Sequence, residues 1–326
     1  MTLRTLPWTG QAAENARKPR AAASEWGLPW RAPRPPRTLP ALPRLPTAAL
    51  ALAALALAVV ALPVESQRLP PGPVTQPSRS HSIGYGNRGR LLHSVALEPT
   101  DLVRVRNATH AHGTQELVDL IHWASREVER RYPGGMLVVG DLSRTRGGRL
   151  RPHRSHRAGR DVDISFYLKD AAGEPATDLN RFVRLRANGK GGTRDGRVFE
   201  WDDERNWALV SALMGQDRVP VQYLMCVRPF KERLLEEGRR QHAPAWLMRR
   251  VEEAVGPRRT RGSRRSLSYG THDSHFHMRV YCAGDDRPRC KDKPPFWDWI
   301  DYPEVEEPPA PPRRQRRRSR RSRRRR

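Results

Sequence analysis

The sequence predicts an α+β domain, a small and largely antiparallel sheet with flanking helices. Two observations carry that prediction. Short runs that alternate or are wholly apolar, such as residues 161–167 and 275–281, read as strands, and apolar residues at helical spacing lie between them. The strands and helices come in mixed order, as an α+β layout requires.

Residues 1–46 are rich in Pro, Arg and Ala without apolar periodicity and are expected to be a disordered leader. Residues 47–62 are uncharged and almost wholly apolar. At about 1.5 Å per residue they span roughly 24 Å, short of the ~20 residues of a membrane helix. A basic stretch precedes the run, and Pro63 and the small residue Ser66 follow it. Residues 47–66 therefore read as a secretory signal cleaved after Ser66, or as a retained signal anchor if translation starts at Met1. Either way the remainder is expected outside the cytoplasmic membrane. Residues 67–82 read as a linker, 83–307 as the folded domain and 308–326 as a disordered tail.

Within the domain, Leu117, Leu120, Ile121, Ala124 and Val128 mark a helix, with Thr114 as N-cap and Pro133-Gly134-Gly135 as its stop. Residues 136–139 are apolar on both faces, which predicts a central strand. A polar loop rich in arginine covers 141–160, and the strand 161–167 follows. After a glycine-rich excursion over 187–196 come a helix (204–214), a strand (219–227) and two helices (230–240 and 245–255). The last strand is 275–281.

The net charge of +26 on 326 residues is unevenly spread. Eleven of the fourteen residues 313–326 are arginine, a run that repels itself and cannot fold alone. Outside the cytoplasm such a tail suits anionic lipid, envelope polymers or wall material. Nucleic acid is the other electrostatic partner, and the apolar signal argues against it. Of three cysteines, Cys282 and Cys290 follow a predicted strand closely enough to close a short disulfide in an oxidising compartment. Cys226 lies in an apolar run and reads as a buried small hydrophobe.

Five of the eleven histidines fall in two clusters, His153-Arg154-Ser155-His156 leading to Asp161-Val162-Asp163, and His272-Asp273-Ser274-His275-Phe276-His277. On a strand, residues i and i+2 point the same way, so His275 and His277 share a face, as do Asp161 and Asp163. A loop ending at Gly159 can return His156 to that strand. Imidazole and carboxylate from separate elements make a donor set for zinc, and a catalytic zinc site keeps one position open. A solvated His-rich loop explains either cluster alone but not both in this order. His110-Ala111-His112 is a further His-x-His without a partner cluster and is read as non-ligating, with one of the pair free to line a cleft.

The His-x6-Asp spacing of His156 and Asp163, followed by a distant His275-x-His277, resembles a zinc peptidase group. That group includes D-Ala-D-Ala peptidases, lysostaphin-type endopeptidases and hedgehog signalling domains. Within it the sequence is most similar to the penicillin-insensitive murein endopeptidases. The carrying residues are Ser82-Ile83-Gly84, Gly140-Asp141-Leu142-Ser143, Arg146-Gly147-Gly148-Arg149, His153 to His156, Asp161 to Ile164 and His272 to Val280. The resemblance covers about residues 82–292. It implies a hedgehog/D-Ala-D-Ala-peptidase-like fold, Zn2+ on His156, Asp163 and His277, and His275 as general base. It further implies His153 and His272 as neighbouring catalytic histidines and Asp161 as the carboxylate orienting a ligand imidazole. Its expected substrate is cross-linked peptidoglycan peptide, whose carboxylates suit Arg144, Arg146, Arg149 and Arg151. Two other functions remain open at this point: a zinc carboxypeptidase or dipeptidase trimming stem peptides, and a silent wall-binding module.

Overall fold

The computed structural model describes residues 72–73, 79–257 and 272–302. Every described residue belongs to the unit Ser66–Arg326. The apolar run 47–62 and the arginine tail lie outside the described residues. No helix among the described residues is long and apolar enough to cross a membrane.

The domain opens with an antiparallel hairpin, β1 (His81–Tyr85) and β2 (Arg88–Leu92), that the sequence reading did not anticipate. Its members Arg88 and Arg90 are exposed, so it lacks the apolar alternation that marks a buried strand. Then come β3 (Val95–Ala96), β4 (Val103–Val105), a 3₁₀ turn at Ala108–His110 and β5 (His112–Gly113). Helix α1 (Gln115–Arg131) follows, with Thr114 at its N-cap position and its inward stripe buried.

Strands β6 (Leu137–Val139), β7 (Asp161–Ser165) and β8 (Leu168–Lys169) come next. The glycine-rich excursion is itself structured: β9 (Lys190–Gly192) pairs with β10 (Val198–Trp201). Helix α2 (Asp203–Gly215) precedes β11 (Val221–Met225), α3 (Arg228–Arg240), α4 (Ala245–Ala254) and β12 (His275–Val280).

The main sheet has the order β11-β12-β7-β6-β4 and is antiparallel except where β4 runs parallel to β6. Strand β6 is central and fully buried, as its two-sided apolarity requires. The register sets His277 opposite Asp163 and Arg279 opposite Asp161. The intervening Val162, Ile164, Phe276 and Met278 are buried in the core with Leu120, Ile121, Trp207 and Phe230. One face of the β7–β12 pair is therefore apolar core, and the other carries the histidines and carboxylates.

Cys282 and Cys290 form a disulfide just beyond β12. Beside it a buried ion pair ties both ends of the domain together. Arg160 donates to Asp292 at 2.6 Å, to Ser82 Oγ at 3.0 Å and to the Val280 carbonyl at 3.0 Å. Asp292 also accepts from the Cys282 amide and the Tyr302 hydroxyl. Cys226 is fully buried, and burial pushes its thiol up to about 12, leaving negligible thiolate at neutral pH.

Removing one partner of a buried pair strands the other charge, at a cost of about 3–5 kcal/mol. Asp292→Ala is accordingly expected to lower unfolding stability by that order in urea titrations. A change under ~1 kcal/mol would mean that the pair is not a main tie.

Candidate metal centre

The register places the first two donors, and an unusual backbone supplies the third. His277 Nδ1 lies 2.8 Å from Asp163 Oδ1 across the strand pair. His156 reaches them from the preceding loop with a φ of 59°, a left-handed conformation that costs a non-glycine residue about 1–3 kcal/mol. Its Nε2 is 3.1 Å from His277 Nδ1 and 3.3 Å from Asp163 Oδ1. All three side chains are nearly inaccessible to solvent.

These donor–donor distances test whether the residues fit a metal ion. A tetrahedral ion with bonds of 2.0–2.1 Å needs ligand atoms roughly 3.3 Å apart. The three edges, 2.8, 3.1 and 3.3 Å, are close to that, and imidazole–imidazole–carboxylate is a zinc-compatible set. His153, His156 and Asp163 also form a group whose ligand atoms lie within 4.8 Å of one another. His153 stands further out, its Nδ1 at 3.6 Å from Asp163 Oδ2.

The surroundings orient the rings. His156 Nδ1–H donates to the Leu142 carbonyl at 2.8 Å, which leaves Nε2 bare toward the centre. His277 Nε2 is held by Asp161 at 3.2 Å, which leaves Nδ1 inward. Asp161 is itself fixed by Arg279, whose Nε and Nη2 donate at 2.8 and 2.6 Å. Arg279 was legible as the next same-face residue after His277, although the sequence reading gave it no role.

Burial opposes charge on both carboxylates, but neighbouring cations overcome it. Arg279 and then His277 hold Asp161 far below the carboxylate range, and His156 and His275 do the same for Asp163. Burial also opposes a proton on His277, yet hydrogen bonds to Asp161 and Asp163 raise it to about 9. Burial depresses His275, and it depresses His272 to about 3.

His275 stands at the edge of the triangle, with Nε2 at 3.7 Å from Asp163 Oδ1 and Nδ1 at 3.0 Å from Ser274 Oγ. Its ring stacks on Phe182 at 4.8 Å, and the Arg106 guanidinium lies 4.6 Å from the same ring. Phe182 sits against Gly140, where a Cβ would meet its ring at 2.6 Å. Nothing in the local sequence marks Phe182, because only the fold brings its loop to β12. His272 packs near both neighbours, its ring 5.3 Å from His275 and 5.7 Å from His277.

His110 does not join the triangle, but its Nδ1 lies 3.1 Å from Asp141, which also accepts from His153 Nε2 at 2.8 Å. The hydrogen bond from His153 chiefly holds the Asp141 carboxyl below its ordinary range. In the loop that leads from Asp141 to His156, Arg144, Arg146, Arg149, Arg151 and Arg154 are exposed and without ion pairs among the described residues. Backbone bonding between Leu91 and Arg146 brings the exposed Arg88 and Arg90 of the hairpin beside them.

Fold and site together define an α+β protein with a buried His–Asp cluster fit for a divalent metal ion. A family model described as penicillin-insensitive murein endopeptidase matches residues 82–189. The penicillin-insensitive murein endopeptidase of Haemophilus influenzae is 26% identical over 240 residues, covering 70% of this chain and 72% of that protein. Over that segment the chain is similar to the penicillin-insensitive murein endopeptidases. The matched segment contains His153, His156, Asp161 and Asp163, and it ends before the cluster on β12.

The raised affinity of His277 for a proton has a consequence for the metal-free protein. A group whose folded value lies above its unfolded one stabilises the fold below the unfolded value and loses that contribution as pH rises through the folded value. Chelator-treated protein is therefore expected to melt at falling temperature between about pH 6.5 and pH 9. Added zinc, which needs the neutral ring, should flatten that slope. Equal slopes with and without zinc in calorimetric scans would contradict a metal on His277.

Proposed function

We propose that this chain is a zinc-dependent murein endopeptidase, exported to the periplasm, that hydrolyses D-alanyl–diamino-acid cross-links between peptidoglycan peptides. The supporting observations are the triangle of His156, Asp163 and His277 donor atoms at near-tetrahedral edge lengths and the match of residues 82–189 to a family of this name. A hedgehog/D-Ala-D-Ala-peptidase-like fold accords with the strand-borne site.

His156, Asp163 and His277 would hold the ion. Zinc supplies Lewis acidity when bound: it polarises the scissile carbonyl and activates water for attack near neutral pH. His275 takes the proton of the attacking water on Nε2, the nitrogen that faces Asp163, and returns it to the leaving amine. Phe182 holds that ring by stacking, and Ser274 Oγ engages its other nitrogen. His153 and His272 flank the reacting groups. The exposed arginines of the loop before His156 would engage the carboxylates of the stem peptides. This chemistry needs no serine nucleophile, so a penicillin, which acylates serine, finds no target.

Purified cross-linked muropeptides digested with the protein and read by mass spectrometry decide the matter. Conversion of dimers to monomers that stops with a chelator is the expected result. Loss of a terminal D-alanine alone would indicate a carboxypeptidase. No cleavage by folded, zinc-loaded protein would leave only a binding role.

Two substitutions separate ligand from base. His277→Ala should abolish zinc uptake, measured by metal analysis, together with turnover. His275→Ala should retain zinc and lose at least about a hundred-fold in kcat, the scale of general acid–base catalysis. Full activity in His275→Ala would remove it from the base role.

A further inference from the structure

Three consecutive residues after β6 each contact a different part of the site. The Gly140 amide donates to the Asp163 carbonyl at 2.8 Å, and the Asp163 amide donates to the Asp141 carbonyl at 3.1 Å. The Leu142 carbonyl takes the Nδ1–H of His156. The Asp141 carboxylate takes His153 on one oxygen and His110 on the other, at 2.8 and 3.1 Å. The His110 turn is clamped to the same segment, because the Leu142 amide donates to the His110 carbonyl at 2.8 Å.

An ionised carboxylate only accepts hydrogen bonds, so His153 must present an N–H to it, while at His110 Nδ1 the Asn107 Nδ2 amide, also at 3.1 Å, competes with Asp141. For His153 that N–H is on Nε2. In the neutral ring this leaves Nδ1 bare, and Nδ1 is the nitrogen that faces Asp163 at 3.6 Å. The His153 side chain is 21% exposed, and half a turn of the ring would put carbons Cδ2 and Cε1 where the two nitrogens now lie. Little else among the described polar contacts selects the orientation.

We propose that Asp141 is a positioning residue, anchored by His110, that fixes the ring and tautomer of His153 so that a bare nitrogen faces the centre. The orientation gives the cleft a hydrogen-bond acceptor beside His275, directed at the amide N–H or water of the reacting complex. Through Asp141, the His-x-His at 110–112 becomes part of the site without ligating. This inference rests on the murein endopeptidase reading for its effect on turnover, but not for its effect on the ring.

The test uses full-length protein with labelled histidine and compares wild type, Asp141→Asn and His110→Phe. Ring nitrogen chemical shifts in the metal-free protein at mildly alkaline pH report the His153 tautomer. The wild type is expected to show Nε2–H at His153, and Asp141→Asn to lose that preference, because its amide can donate to Nε2. On cross-linked muropeptides Asp141→Asn should lose about ten- to hundred-fold in kcat, the usual effect of disturbing an orienting partner, with KM, zinc content and melting temperature near wild type. His110→Phe should show a smaller loss in the same direction. An Nδ1–H tautomer in the wild type, or full kcat in Asp141→Asn, would overturn the proposal. Should the wild type cleave no muropeptide, the endopeptidase reading fails, and the ring measurement still decides the role of Asp141.

Discussion

Two carboxylates two residues apart on β7, both almost without solvent contact, impose the constraint around which this half of the molecule is arranged. An ionised group in such a place is tolerated only with cations and donors packed against it. Antiparallel register meets the requirement with residues from one neighbouring strand. Arg279 faces Asp161 and His277 faces Asp163, because the same period of two spaces both pairs. A one-residue slip would bring Phe276 and Met278 to the carboxylates and turn His277 into the core. The apolar packing of Val162, Ile164, Phe276 and Met278 thus sets the register, and the register sets the site.

The two carboxylates are held differently. Asp161 meets a guanidinium, which stays charged, and is committed to a structural pair. Asp163 meets only imidazoles, which can give up their protons. A divalent ion can therefore replace protons at Asp163, whereas at Asp161 it would have to displace Arg279. The difference makes Asp163 the better candidate ligand of the two, with Asp161 paired to His277 Nε2 and Arg279.

Much of this was legible in the sequence where periodicity carries the information. The strands bearing Asp161, Asp163, His275 and His277, the first helix and the central apolar strand all announce themselves through spacing. The β1–β2 hairpin does not, because glycines and exposed arginines interrupt its few apolar residues. The strand within the glycine-rich excursion is hidden for a similar reason: Gly191 sits where a Cβ would strike the Arg184 carbonyl at 2.1 Å, so close backbone approach chose the residue rather than strand propensity. Contacts between distant segments are the least visible. Phe182 on His275, Arg160 on Asp292 and Asp141 between two histidines each join residues whose own neighbours in sequence predict nothing of the meeting.

The donors of the site are oriented by the fold around them. Donor orientation comes from a backbone carbonyl at Leu142, a carboxylate at Asp161 and the strand pairing, and a large apolar core lies on the other face of the sheet. The strained backbone of His156 fits the same account: its conformational cost is borne by the fold so that Nε2 is already turned inward. Preorganisation of this kind favours a centre with one side left to substrate. His153 and His275, each held 3.6–3.7 Å from Asp163 rather than within the donor triangle, stand where they can serve the substrate instead of closing the coordination shell.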